Sequence, residues 1–256
     1  MTQDEAIEKL NINVDLIPAG SSNRPGTRIT PTFITIHNTS NPARGADAAM
    51  HARYVKGPDA RARQVSWHFT VDDRRVFKHL PTNEKGWHAG PGNSKSIGIE
   101  VCENQGIDTE AAIDRAALLT ALMMLAYGIG ADKVVPHQAW TGKDCPHVIL
   151  RRKGGFDAFR ERAAAYAEEL GGSAERALEP AAFATAPEGE SYGSPGSDLL
   201  MLADSDETGV DVSVDGADRV AQLEKLVVHL ALENHSLREA LEGAHGTARE
   251  MEFEAE

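Results

Sequence analysis

Short apolar runs rich in β-branched residues predict β-strands in the first part of the chain. Residues 32–36 (TFITI) are bounded by Pro31 and polar residues, which is typical of a buried strand. Residues 65–71 (VSWHFTV) and 76–80 (VFKHL) flank an Asp-Asp pair, and this arrangement predicts a hairpin. Residues 96–101 (SIGIEV) alternate in polarity and predict a further strand.

Apolar residues at helical spacing predict helices between and after these strands. The longest pattern covers residues 109–127, where one wide face is apolar, and Gly128 and Gly130 end it. Residues 46–56 and 156–170 predict two further helices. Strands that alternate with helices predict an α/β domain with a mixed central β-sheet flanked by helices.

Composition excludes several classes of protein. The chain has 256 residues, of which 41% are apolar and 25% charged, as in ordinary globular proteins. No stretch approaches the roughly 18 consecutive apolar residues of a membrane helix, and the N-terminus has no basic run followed by an apolar core. We therefore expect no membrane partner and no secretory signal. Two cysteines, Cys102 and Cys145, allow at most one disulfide and favour a reduced compartment or a metal.

The net charge of −13 is concentrated in the last third of the chain. Residues 171–256 contain 5 basic and 19 acidic residues, whereas residues 1–170 contain 21 basic and 20 acidic residues. Neither part has the clustered basic surface that phosphate neutralisation needs, so we expect no nucleic-acid partner.

This shift in composition predicts three regions. Residues 1–170 carry the strand and helix patterns and form the first domain, and residues 171–216, rich in Gly, Pro, Ser and acidic residues, form a flexible acidic linker. A helical pattern returns at residues 217–256, with apolar residues at heptad spacing. Val220 and Val227 occupy a positions, Leu223 and Leu230 occupy d positions, and Asn234 is a polar a residue. This pattern favours a parallel two-stranded coiled coil and hence a homodimer; an amphipathic helix packed on its own domain is the alternative.

Three residues have the character of metal ligands. His37 follows the TFITI strand, His137 follows the run Val134-Val135-Pro136, and Cys145 lies eight residues later. Two imidazoles and a thiolate suit Zn²⁺ and leave a fourth tetrahedral position for water. Because His37 and His137 are a hundred residues apart, the whole fold would be needed to build this site. Spacing alone leaves open that these are buried or solvent-facing histidines and an inert core cysteine.

Two charged residues are positioned to act beside such a metal. Glu100 lies in the SIGIEV strand, where a carboxylate can take a proton from water activated by a metal. Lys143 lies two residues before Cys145 and can place a cation beside an oxyanion. A solvated glutamate and a surface lysine are the alternative interpretations.

Taken together, four motifs closely resemble those of the zinc-dependent N-acetylmuramoyl-L-alanine amidases. They are ITIHNTSNP, GWHAG, NSKSIGIEVCEN and PHQAWTGKDCPHVI, in family order, within residues 11–165. More narrowly, the chain resembles the type-2 amidases of phage endolysins and bacterial autolysins, whose fold is shared with peptidoglycan recognition proteins.

The resemblance implies roles for individual residues. His37, His137 and Cys145 match the zinc ligands, Glu100 the catalytic glutamate and Lys143 the catalytic lysine. Four further residues match segments of the substrate groove or its surroundings: Trp87, His88, Asn93 and His68. For His88 a structural hydrogen bond is the alternative to substrate contact, for Trp87 core packing is, and His68 matches a position behind the site.

The resemblance also implies a function. A zinc amidase of this kind hydrolyses the amide bond between N-acetylmuramic acid and L-alanine in peptidoglycan. The lack of a visible signal favours a phage-type endolysin, made in the cytoplasm (the host's, if phage) and acting at the cell wall after release. A bacterial autolysin and a non-catalytic peptidoglycan-binding module are the alternatives, although such modules typically lack the metal-binding cysteine that is present here as Cys145.

Overall fold

In the computed structural model of the chain, residues 1–171 are described, and they form a mixed sheet with helices packed against it. The predicted linker, apart from Gly171, and the predicted C-terminal helix lie outside the described residues. The strands are β1 (Ile12–Val14), β2 (Phe33–Asn38), β3 (Phe69–Val71), β4 (Val76–Lys78), β5 (Ser96–Val101) and β6 (Val134–Pro136). The helices are α1 (Gln3–Leu10), α2 (Ala48–Lys56), α3 (Pro58–Ala62), α4 (Thr109–Tyr127), α5 (Gln138–Thr141), α6 (His147–Leu150) and α7 (Gly155–Glu169).

The six described strands form one sheet in the order β1-β4-β3-β5-β2-β6. Only the β3–β4 pair is antiparallel, and the other four pairs are parallel. The antiparallel pair is the predicted hairpin around Asp72 and Asp73. The prediction of a mixed sheet flanked by helices is therefore confirmed.

Alternation along the central strands divides the sheet into two faces. In β2, Ile34 and Ile36 belong to the main hydrophobic core, so Thr35 and His37 face the other side. In β5, Ile97 and Ile99 belong to the same core, which leaves Gly98 and Glu100 facing the opposite side with His37. The same strands thus supply both the core and a polar face.

Helices α1, α4 and α7 cover the apolar face. Among the helices, α4 and α7 contact each other most extensively. Helix α4 is buried along most of its length, because it lies between the sheet and α7. Gly128, with φ of 61°, ends α4 in a left-handed conformation and donates its N–H to the Met124 carbonyl. Beside the polar face, α2 contacts β3 and β4 and contributes Val55 to a second, smaller apolar cluster with Ile17, Trp67 and Leu80.

Several boundaries differ from the predictions. The strand predicted for residues 65–71 is shorter, since only Phe69–Val71 pairs continuously and Ser66 makes an isolated bridge to Trp87. Helix α2 begins two residues later than predicted, because the Asp47 side chain caps it by accepting the Met50 N–H at 2.8 Å. The first helix and strand, α1 and β1, were not predicted at all, although Thr2 and Glu5 form a capping box.

The described part of the chain was also searched for membrane spans. Within residues 1–171, no helix combines the length and the apolar character needed to cross a bilayer.

Candidate metal centre

Strand register places the first two site residues side by side. His37 in β2 is the register partner of Glu100 in β5, because these parallel strands pair from Phe33 to Asn38. The third site residue, His137, lies on the other side of β2, because β6 pairs with β2 up to Pro136. His137 follows Pro136 and donates its backbone N–H to the Ile36 carbonyl at 3.1 Å. The hundred residues that separate the two histidines are thus bridged by one strand pair.

Cys145 returns to the site through the segment that contains α5. The Gln138 N–H donates to the Cys145 carbonyl at 2.9 Å, which closes the segment after one short helix. This closure holds the thiol beside the two imidazoles. All three side chains are at least 91% buried.

The donor atoms of these residues are close enough for one ion. The Nδ1 atoms of His37 and His137 are 3.1 Å apart, and Cys145 Sγ lies 3.9 Å from His37 Nδ1. All three lie within 4.8 Å of one another. Tetrahedral zinc with bonds of about 2.0–2.3 Å has donor–donor distances of about 3.3–3.8 Å, so small adjustments suffice. In residues 1–171 this is the one group of three or more His, Cys, Asp or Glu side chains whose donor atoms come so close.

Burial fixes the protonation of the donors. Burial, followed by the nearby His88, His137 and Lys143, lowers the pKa of His37 well below its ordinary value. Burial and Lys143 also lower the pKa of His137. Both imidazoles are therefore neutral, which is the form that ligates metals. Burial raises the pKa of the Cys145 thiol to about 11, so a thiolate here needs a cation beside it.

Glu100 and Lys143 stand beside these donors with opposite charge. Glu100 Oε1 is 3.9 Å from His37 Nδ1, and its Oε2 is buried without a hydrogen-bond partner. Burial raises the pKa of Glu100 to about 8, although Lys143 lowers it. An unpartnered carboxylate oxygen beside a donor cluster is suited to exchange a proton with a substrate or water. Lys143 is exposed and lines the same cavity.

A cavity of about 420 Å³ opens over this cluster. His37, Glu100, His137 and Lys143 are part of its lining. Its walls are the β2–α2 loop, part of α2 and the segment before β3. The lining beyond the cluster consists of Asn38, Thr39, Ser40, Asn41, Met50, His51, Tyr54, Arg63, Val65, Trp67, Trp87 and His88.

Of the groove residues implied by the resemblance, Trp87 and His88 line the cavity. Trp87 is half-buried and has Lys85 Nζ 4.3 Å from its ring centre. Its indole Nε1 is buried without a partner. His88 Nδ1 lies 3.0 Å from His37 Nε2, so this imidazole touches a candidate ligand as well as the cavity.

Asn93 and His68 are supporting residues, and neither lines the cavity. Asn93 Oδ1 accepts the N–H groups of His88 at 2.9 Å and of Ala89 at 2.6 Å, which holds the loop. His68 is fully buried, its Nε2 donates to the Glu84 carbonyl and its Nδ1 accepts the Gly98 N–H. The Asn93 side-chain oxygen and both ring nitrogens of His68 are thus bonded to backbone groups. In the structure both side chains hold the backbone around the site, and their role in substrate binding stays a prediction.

Sequence reasoning missed several residues of the cavity lining. His51, Tyr54 and Arg63, together with Trp67, line the cavity, and the Tyr54 and Trp67 rings stack with centres 6.4 Å apart. Only the docking of α2 against the hairpin brings these residues together. No local pattern marks them, since a buried aromatic residue on a helix predicts core packing equally well.

Comparisons with known proteins agree with this architecture. Residues 26–148 match the family described as N-acetylmuramoyl-L-alanine amidase. The chain is 50% identical over 153 residues to N-acetylmuramoyl-L-alanine amidase XlyA of Bacillus subtilis (strain 168), a match that covers 58% of this chain and 50% of XlyA. It is 47% identical over 152 residues to N-acetylmuramoyl-L-alanine amidase CwlH of the same organism, covering 57% of this chain and 60% of CwlH. The matched region thus spans half to three fifths of these relatives.

Solved structures extend the comparison to the fold. The catalytic domain of XlyA is 49% identical and superposes with a TM-score of 0.56, covering 60% of this chain and 99% of that structure. A mutant endolysin from Bacillus subtilis is 47% identical, with a TM-score of 0.57 and the same coverage. At this identity over nearly the whole of a catalytic domain, common descent is clear. The chain belongs to the family of N-acetylmuramoyl-L-alanine amidases.

Proposed function

We propose that this chain is a zinc-dependent hydrolase of the amide bond between N-acetylmuramic acid and L-alanine in peptidoglycan. One observation carries the proposal: the donors of His37, His137 and Cys145 converge beside Glu100, whose Oε2 has no partner, and a cavity opens over this cluster. Relatives that are 47–50% identical to this chain over 152–153 residues are named for that activity.

The donor set fits zinc, because neutral imidazoles and a buried cysteine are its preferred ligands. Bound there by His37, His137 and Cys145, zinc supplies Lewis-acid chemistry, polarising a carbonyl and lowering the pKa of water. Glu100 accepts the proton of the attacking water at its free Oε2. The raised pKa of Glu100, about 8, lets the same carboxyl return that proton to the departing amine of L-alanine near neutral pH.

Lys143 acts on the charge that develops at the scissile carbonyl. Lys143 lines the cavity, and its positive charge lowers the pKa of Glu100, His37 and His137. A cation at this position stabilises the negative oxygen of the tetrahedral species. In the ground state the carbonyl is neutral, so this interaction strengthens as the transition state is approached.

Replacing Glu100 tests the role of the carboxylate. E100Q keeps the size of the side chain but removes the proton acceptor, so we expect turnover on purified cell walls to fall by about 10²–10⁴-fold. Zinc content, measured on the same sample, should stay at the wild-type value. The matched control is E110Q, which changes an exposed carboxylate on α4 that pairs with Arg152. Near wild-type lysis by E100Q would exclude Glu100 as the proton acceptor.

The bond cleaved and the metal are identified together by mass spectrometry of digested peptidoglycan and metal analysis of the purified chain. The expected products are peptides with a free L-alanine amine, released by protein that holds about one zinc per chain. Tight binding to peptidoglycan without release of such peptides would identify a non-catalytic recognition module instead.

For the whole chain we propose three regions, namely a catalytic domain (1–170), an acidic linker (171–216) and a dimerising helix (217–256). The heptad pattern around Val220, Leu223 and Asn234 supports the dimer. Two linked catalytic domains would attach bivalently to a polymeric substrate and so raise their effective concentration at the cell wall. The setting that fits is an endolysin which reaches the wall after release from the cytoplasm.

Light scattering tests the dimer. The full chain should have twice the mass of one chain, and a 1–170 truncation should have the mass of a monomer. Equal oligomeric states for the two proteins would remove this role from residues 217–256.

A further inference from the structure

We propose that His88 is a positioning residue for the metal: it accepts a hydrogen bond from His37 and thereby presents His37 Nδ1 to the ion. This inference rests on the proposed metal centre. It assigns to His88 a role different from the substrate contact that the family resemblance implies.

The geometry of the two imidazoles carries the first step. His37 has both ring nitrogens engaged, with Nδ1 directed at His137 and Cys145 and Nε2 3.0 Å from His88 Nδ1. An imidazole that gives its Nδ1 lone pair to a metal carries its proton on Nε2. In the proposed arrangement that proton points at His88 Nδ1, which acts as the acceptor, and His88 carries its own proton on Nε2, a buried atom without a hydrogen-bond partner. The contact therefore selects the tautomer of His37 that ligates a metal.

The backbone holds His88 in place for this task. Asn93 Oδ1 accepts two consecutive N–H groups, from His88 and Ala89, and so fixes the loop from which the imidazole projects. The ring of His88 also contacts that of His68, whose own nitrogens bond to the backbone. A side chain fixed on two sides loses little freedom when it accepts a hydrogen bond.

The His88 ring packs directly against Gly98. Gly98 lies in β5 between Ile97 and Ile99, on the same face as Glu100, and a Cβ atom there would come within 2.7 Å of His88 Nδ1. That distance is too short for any real contact, so a side chain at position 98 would displace the acceptor atom itself. The glycine of the SIGIEV strand is thus explained by the imidazole that packs on it.

Partners of this kind matter for affinity as well as geometry. Residues that accept a hydrogen bond from a metal-ligating histidine typically contribute 10- to 100-fold to metal binding. We therefore expect H88A, in the full chain, to bind Zn²⁺ about 10- to 100-fold more weakly in competition with a chromophoric chelator. H88N keeps an amide oxygen near the position of Nδ1 and should restore most of the lost affinity.

A double-mutant cycle separates positioning from packing. G98A should weaken Zn²⁺ binding because it displaces the His88 ring. In the H88A background the same substitution should change affinity little, because the ring is gone. Near-ultraviolet absorption of the Co²⁺-loaded chains checks that Cys145 still ligates, since its thiolate gives a charge-transfer band there. Thermal unfolding of each metal-free variant checks that the domain is folded.

The outcomes are distinct. Failure of the wild-type chain to bind Zn²⁺ would remove the proposed metal centre and, with it, this inference. If the wild type binds zinc, wild-type affinity in folded H88A overturns the positioning role. If H88N binds Zn²⁺ as weakly as H88A does, the loss of affinity comes from packing and the proposed hydrogen bond is overturned. The same conclusion follows if the effects of H88A and G98A on Zn²⁺ affinity are additive.

Discussion

One face of the central sheet is a closed apolar core beneath α1, α4 and α7, and the other face opens into the cavity that holds the candidate metal centre. Both faces come from the same strands. Ile99 and Glu100 are consecutive residues of β5, yet Ile99 is fully buried in the core whereas Glu100 carries an unpartnered oxygen beside His37. The alternation of side chains across a strand separates them.

The difference shows how stability and chemistry are divided in this fold. The apolar face stabilises the fold, because it removes large aliphatic side chains from water. The polar face contains neutral buried histidines and a buried carboxylate, which burial alone makes unfavourable in their charged forms. A rigid core on one side thus holds in place a set of groups that would not order themselves on the other.

The largest effect is expected from Cys145. C145A removes a ligand from the proposed centre, so zinc content should fall from about one per chain to near zero, and activity should fall to background. Metal analysis and wall lysis on the same preparation measure both effects. C102A is the matched control, because Cys102 is also a buried free cysteine but belongs to no metal group among residues 1–171.

The C102A variant should keep both its zinc and its activity. Loss of zinc from C102A but not from C145A would reverse the assignment of the two cysteines.

Adjacent substitutions in β5 test the division between the two faces. I99A should lower the free energy of unfolding by about 2–5 kcal/mol, since it leaves a cavity in the main core. Turnover and zinc content at a temperature where I99A is folded should be unchanged. E100Q is expected to show the opposite pattern: turnover is lost, and the free energy of unfolding is unchanged or raised, because glutamine lacks the charge that burial disfavours. Urea denaturation followed by circular dichroism measures the stability of both, and loss of turnover in folded I99A would contradict the division.

A smaller effect is expected from pH, through histidines that are buried away from the candidate ligands. Burial lowers the pKa of His51 and of His68 to about 4 and that of His79 to about 3, from an ordinary value of 6.5. Between about pH 6.5 and these values the unfolded chain binds more protons than the folded chain. The contribution of these three histidines to stability should therefore be constant above about pH 7 and should fall as the pH decreases towards 4.

The contribution of one histidine is isolated with H79Q. His79 Nε2 bonds to Thr70 Oγ1 at 2.9 Å, and glutamine retains a polar group there without titrating. The melting temperature of H79Q should decrease less steeply than that of the wild type between pH 6.5 and 4.5. Parallel curves for the two proteins would show that His79 does not contribute to the acid sensitivity.

Much of the fold followed from local pattern. The aliphatic run before His37, the alternation that ends at Val101 and the long apolar face of α4 each define an element that the structure contains. Boundaries were less accurate where a side chain or a bridge decides them, as with the Asp47 cap of α2 and the single bridge at Ser66. Helix α1 was missed, because an eight-residue helix with a polar sequence depends on its capping box and on packing against α4.

The candidate site divides in the same way. By itself the sequence determined which residues have metal-binding and proton-transfer chemistry, because ligand type is a property of the side chain. Only the tertiary structure decided that His37, His137 and Cys145 meet, that Asn93 and His68 support rather than line the cavity, and that His88 contacts His37. The physical reason is that strand register and loop closure bring together atoms a hundred residues apart, and neither is encoded in any local stretch of the chain.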